Sequence, residues 1–138
     1  MEQNYRLDDQ VGYILRLVSQ RHSTIFQSGE VHGLTATQFA ALIRIEENGT
    51  CSQNQLGRLS AMDAATIKGV VDRLAKKGLV AFAPDPRDKR RTMISLTQKA
   101  MGIMPDLHAC GHRITAETLA CLTSKEQDTL LKILGKMT

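Results

Sequence analysis

Tryptophan is missing from the chain, and two tyrosines and three phenylalanines are all the aromatic residues that 138 positions hold. A core must therefore be built from leucine, isoleucine, valine, alanine and methionine, and a hydrophobic share of 42% supplies enough of them for one domain. Cysteine is scarce and odd in number: Cys51, Cys110 and Cys121, with no C-x-x-C spacing. That argues against a disulfide framework and a structural zinc site, and it fits a reducing compartment. No stretch approaches the ~20 apolar residues of a membrane span. The N-terminus lacks the basic-then-apolar order of a secretory leader. The expected location is cytoplasmic, with no membrane partner. The sequence also lacks a nucleophile elbow, a phosphate-cradling glycine loop, paired catalytic carboxylates and an H-E-x-x-H run. An enzyme is not expected, nor a cofactor.

What is present is a concentrated positive charge. The net charge is +4. Between Arg58 and Arg91 nine basic residues stand against four acidic ones, so this segment alone exceeds the surplus of the whole chain. A local surplus of this kind is the footprint expected of a phosphate-binding surface.

The apolar pattern predicts mostly helix, in the order α-α-α-α-β-β-α-α. Leu7, Val11, Ile14, Leu15, Val18, His22, Ile25 and Phe26 recur at helical spacing, and Ser28-Gly29 closes that helix. Thr35 to Gln38 and Ser52 to Gln55 read as capping boxes opening two more helices, the first stopped by Asn48-Gly49. Asp63 reads as the N-cap of a fourth, with Ile67, Val70, Val71 and Leu74 inward and Gly78 at its end. Leu79–Phe82 and Thr92–Leu96 read as strands around a polar tip, 84–91, too long for a tight two-residue turn. Helix resumes after Thr97, with Pro105 expected to kink or restart it. Thr123 to Glu126 caps a last helix carrying Leu130, Ile133, Leu134 and Met137. The first and last helices have apolar stripes with little chain to cover them, so pairing with a second copy is expected.

Three short helices followed by a hairpin form a winged helix-turn-helix, and the basic residues fall on it. Small residues at 64 and 65 allow close approach to DNA, and Thr66 and Lys68 can reach base edges or phosphates. Arg73, Lys76 and Lys77 lie behind them for the backbone. Arg87, Lys89, Arg90 and Arg91 crowd the hairpin tip, where an arginine can enter a narrow minor groove. Asp88 can hold Arg90 in one rotamer. Read without the helices before it, the same charge run is a solvated turn.

The run Leu56-Gly-Arg-Leu-Ser, Asp63-Ala-Ala-Thr66, Val70-Val-Asp-Arg-Leu74, Lys77-Gly-Leu79-Val, Asp85-Pro-Arg-Asp88-Lys-Arg90 and Leu96-Thr97 resembles the MarR family of bacterial regulators. The resemblance spans nearly the whole chain and implies a single domain over 1–138. In it, helices at about 5–30 and 98–138 dimerise, and a lobe at about 34–97 binds DNA. It further implies a homodimer on a pseudo-palindromic operator in double-stranded DNA, acting by default as a repressor. Residues 63–77 would enter the major groove and Arg90 the minor groove. A small aromatic acid would bind where the dimer helices meet the lobe and alter the spacing of the two recognition helices. The segment 52–74 is similar to the branch that represses nicotinate catabolism and answers to 6-hydroxynicotinate.

Candidate effector contacts are His22, Arg16, Gln38 and Phe39. His22 on an apolar stripe is either a satisfied core or interface residue or a donor to an anion. Arg16, Arg21 and Arg44 offer charge for a carboxylate but also read as surface residues, and Phe39 also reads as plain core. His108 and His112, four apart, lack a third metal ligand and read as a polar face. Two alternatives remain open. One is a redox sensor acting through Cys51 at the start of the third helix, although the hydroperoxide-sensing branch carries its reactive cysteine in the first helix, where this chain has none. The other is a non-specific architectural DNA binder.

Overall fold

A computed structural model describes residues 4–138. Helix α1 (Val11–Ser28) follows a 3-10 turn at Leu7–Asp9, then come α2 (Ala36–Asn48), strand β1 (Cys51–Ser52), α3 (Gln53–Leu59), α4 (Ala64–Lys76), β2 (Val80–Asp85), β3 (Asp88–Leu96), α5 (Gln98–Leu119) and α6 (Ser124–Lys136). The chain forms two compact units, one of residues 30–109 and one of the N-terminal segment through Gly29 together with residues 110–138. No helix among the described residues is long and apolar enough to cross a membrane.

In the 30–109 unit the helices begin where short polar side chains satisfy their free N–H groups. Thr35 and Gln38 form a reciprocal capping box on α2. The Asp63 carboxylate accepts from the Thr66 N–H at 2.7 Å. At the other end of α4 the chain closes in a Schellman motif: Leu79 N–H donates to Leu74 O and Gly78 N–H to Ala75 O, both at 3.0 Å, with Gly78 at φ +73°. Leu74 and Leu79, brought together by that motif, are both buried. The core they join contains Leu42, Ile45, Leu56, Ile67, Val71, Ile94, Met104 and Leu107.

Helices α3 and α4 meet at Gly57. A methyl added there would stand 3.1 Å from the Met62 carbonyl oxygen and 3.3 Å from an Ile67 methyl. The turn between them places Ala61 at φ +54°, a left-handed conformation that costs an L-residue roughly 1–2 kcal/mol. That strain is held by the burial on either side.

The structure amends the expected outline at five points. The first helix starts at Val11, because Gln10 is extended (φ −90°, ψ 134°), so Leu7 lies in the preceding 3-10 turn. The Ser52 cap makes only its forward bond, to Gln55 N–H. Ser52 also belongs to a strand absent from the expected order: β1 pairs antiparallel with β3, Cys51 opposite Ile94, giving a three-stranded sheet in the order β1-β3-β2. The wing is tighter than expected. Its strands run to a two-residue tip, Pro86-Arg87, closed by the Asp85 carboxylate accepting from Arg87 N–H at 2.9 Å. The surplus length is taken up by a register shift that leaves 89–91 without partners on β2. Finally, of the two effects expected of Pro105, a restart does not occur: α5 runs through it as one helix.

The other unit is thinly covered. It buries Phe26, Cys110, Ile114 and Leu119. Arg21 donates to the carbonyls of Thr118 and Glu117 at the C-terminal end of α5, where a cation is favoured by the helix dipole. Arg113 does the same for Gly29 O, just past α1, at 2.7 Å. Much of the expected apolar stripe is nevertheless exposed: Val11 (63%), Ile14, Leu15 and Val18 on α1, and Ile133 and Met137 (61%) on or just past α6, with Leu131 exposed beside them.

Glycine substitutions test this packing. Gly57→Ala should destabilise the protein by about 1–3 kcal/mol through overpacking. Gly102→Ala, in an exposed stretch of α5 with nothing near the added methyl, should stabilise it by up to about 1 kcal/mol. Denaturant titrations followed by circular dichroism measure both.

Candidate nucleic-acid interface

The exposed face of α4 follows from its apolar one. With Ile67, Val70, Val71 and Leu74 turned inward, Ala64, Ala65, Thr66, Lys68, Asp72, Arg73 and Lys76 face solvent. Two alanines at the first turn keep that end low, so a ligand backbone can approach the helix closely. Lys68 pairs with Asp72 at 3.0 Å one turn on. The Arg73 guanidinium lies against Gly69, where an added methyl would come within 3.2 Å of it. Lys77 is engaged within the protein, its ammonium donating to Gly33 O at 2.7 Å. Sequence reasoning missed two neighbours that hold the same end of the helix. Lys99 Nζ donates to Lys77 O at 2.8 Å and Thr97 Oγ1 to Gly78 O at 2.7 Å.

Asp63 is held below the ordinary carboxylate value, first by the Thr66 N–H, then by the Thr66 hydroxyl and, more weakly, by the Ala65 N–H, against a small effect of burial. Its negative charge is thus fixed at the positive end of the α4 dipole.

On the wing, consecutive arginines behave differently. The Arg90 side chain is 92% exposed and is steadied by Asp88, whose Oδ1 accepts from its Nε at 3.3 Å and from its backbone N–H at 3.1 Å. Arg91 donates instead from Nη2 to Ser52 Oγ at 3.2 Å. Arg87 and Lys89 are exposed at and beside the tip.

The four candidate effector contacts do not share a unit: Arg16 and His22 lie in one, Gln38 and Phe39 in the other. Six residues apart on α1, Arg16 and His22 also differ by about 120° around the helix. Arg16 sits over the Tyr13 ring, 5.7 Å from its centroid. His22 Nδ1 is 2.9 Å from Thr118 Oγ1, and that hydroxyl donates its proton to Ile114 O. Nδ1 must therefore carry the hydrogen, and the neutral ring offers a lone pair at Nε2; only the imidazolium form offers a donor there. Gln38 is buried, with Oε1 accepting from Thr35 N–H, and Phe39 is half-buried. Arg44 pairs with Glu47 at 2.8 Å. His108 bonds to Glu46 and His32 to Asp106. Among the described residues no three His, Cys, Asp or Glu side chains are placed to hold a metal ion.

The MarR family profile matches residues 34–92. Across 96% of its length the chain is 35% identical to the HTH-type transcriptional repressor NicR of Pseudomonas putida, covering 85% of that protein. The chain belongs to the MarR family. A probable transcriptional regulator from Pseudomonas aeruginosa matches with a TM-score of 0.93 at 49% identity, over 96% of this chain and 100% of that one. BpsR of Bordetella bronchiseptica, whose structure addresses regulation of its DNA binding by 6-hydroxynicotinic acid, matches with a TM-score of 0.92 at 33% identity, over 98% and 97%. As a MarR-family member the protein is a transcriptional regulator and not an enzyme.

The redox reading of Cys51 does not survive. The side chain is fully buried in β1, and burial pushes its thiol up from the ordinary value, opposite to what a reactive thiolate requires. Cys110 is buried as well, and only Cys121 is exposed.

Two outcomes are expected. Thiol titration of the native protein should label Cys121 rapidly, and Cys51 and Cys110 only on unfolding. Asp63→Ala should lower the melting temperature by a few degrees at neutral pH. A carboxyl depressed in the folded state stabilises the fold above its unfolded value, about 3.9, and loses that contribution as pH falls through the lower folded value. The gap between wild type and Asp63→Ala should therefore close in acid, whereas Asp63→Asn should keep most of the cap.

Proposed function

We propose that the protein is a cytoplasmic repressor that binds a pseudo-palindromic operator as a homodimer and leaves it when a small aromatic acid of the 6-hydroxynicotinate class binds. The observation that carries the DNA part is the pairing, within one unit, of a solvent-facing α4 with a tight wing whose Arg90 is exposed and pre-oriented by Asp88. On this reading Thr66 and Lys68 meet base edges or phosphates, Arg73, Lys76, Arg87 and Lys89 meet phosphates, and Arg90 enters the minor groove. Two copies of α4 would address half-sites about 34 Å apart. The apolar face of α1 and α6 supports dimerisation, since a monomer would leave it in water.

The effector part rests on likeness to NicR and BpsR. His22 is our preferred contact: its Nδ1 bond to Thr118 fixes the ring, and its imidazolium form would present Nε2–H to a carboxylate. An effector can release DNA only by preferring the state that binds DNA poorly, and DNA must then weaken effector binding by the same factor.

Electrophoretic shifts on the upstream DNA of the chain's own gene, at one salt concentration with and without 6-hydroxynicotinate, test both parts. Retention of the operator over random duplex and its release by the compound are expected. Release should be lost in His22→Ala, and Arg90→Ala should weaken operator binding at least tenfold, about 1.4 kcal/mol. Specific binding that ignores the compound would reject the effector and keep the regulator. Equal affinity for any duplex would leave an architectural binder instead.

A further inference from the structure

We infer that Ser52 is a positioning residue for the wing, acting through Arg91; the inference rests on the proposed reading of DNA by the wing. The hairpin ladder alone does not fix the wing. Between the pairs Pro84–Thr92 and Asp85–Asp88 the register shifts, and residues 89–91 have no partners on β2. The tip is therefore tied to the rest of its own hairpin across an interruption. Arg91, one of those unpaired residues, is held from outside the hairpin instead. Its Nη2 donates to Ser52 Oγ, 39 residues earlier in the chain.

Ser52 is suited to be the fixed end. It is 6% exposed, pairs with Met93 on β3, and caps α3 by accepting from Gln55 N–H at 3.3 Å. A hydroxyl oxygen has two lone pairs, and here one serves the helix cap and the other a guanidinium. The second bond is charge-assisted and the stronger kind. One atom thus references the wing to the start of the helix-turn-helix. The division between neighbours follows: Arg91 is committed to position, and Arg90, tied only to Asp88 beside it, is left exposed. Arg91 is then a strut and not a phosphate contact.

The test compares wild type, Ser52→Ala, Ser52→Thr, Arg91→Met and the Ser52→Ala/Arg91→Met double variant. Dissociation constants are measured on operator and random duplex at one salt concentration. Each single removal should lower the operator-over-random ratio about tenfold, the double variant no further than the worse single one, and Ser52→Thr should restore it. Arg91→Met leaves the α3 cap intact, so a loss there is not a folding effect. Hydrogen exchange on the free protein reads the strut without DNA. Amides of residues 87–92 should exchange faster in Ser52→Ala and Arg91→Met but not in Ser52→Thr. Additive losses, a ratio untouched by Ser52→Ala, or an Arg91→Met loss equal on both duplexes would overturn the proposal. A wild type with no operator preference would sink the DNA reading instead, and unchanged exchange would then still sink the strut.

Discussion

A short helix offers DNA a defined surface only if both its ends are held, and α4 is held at both by groups satisfying its backbone. Asp63 takes the Thr66 N–H at the start. The Schellman turn through Gly78 closes the other end, and Lys99 in the first turn of α5 and Thr97 just before it donate to the carbonyls of Lys77 and Gly78. Thirteen residues of isolated helix would be marginal in water. Inside this frame the backbone groups at both ends of the helix are satisfied, and the glycine crossing at Gly57 sets how closely α3 lies against it. Most of what the site can do follows from that immobilisation.

The two units differ in how far they are finished. The 30–109 unit closes a core around Leu42, Leu56, Leu74 and Ile94 by itself. The other holds together by carbonyl capping from Arg21 and Arg113 and by a few buried residues, while α1 and α6 leave large apolar side chains in solvent. Hydrophobic burial is the main favourable term in folding, and this unit, taken alone, leaves more of that term unrealised than the 30–109 unit does.

Local chemistry was legible in the sequence and distant pairing was not. The caps at Thr35, Asp63 and Thr123 and the stop at Gly78 were readable because each involves residues within a few positions. Strand β1 was not, because two residues have no periodicity of their own and their partners, Met93 and Ile94, lie some forty positions on. The wing tip was obscured because a register shift conceals a two-residue turn inside an eight-residue polar run. The roles of Lys77 and Arg91 were hidden for the same reason as β1: Gly33 and Ser52 are 44 and 39 residues away. Composition identified a basic surface, but it did not say which bases were already in use.

Bases already in use respond differently to salt. Among the nine basic residues from Arg58 to Arg91, Lys77 and Arg91 donate to the protein's own oxygens. A cation engaged in this way displaces few counterions from a polyanion, and each phosphate neutralised contributes about 0.9 to the logarithmic salt slope of binding to duplex DNA. The ionic-strength dependence of any DNA complex should accordingly be shallower than the formal charge of this segment suggests, leaving a larger part of the affinity in contacts that salt does not screen.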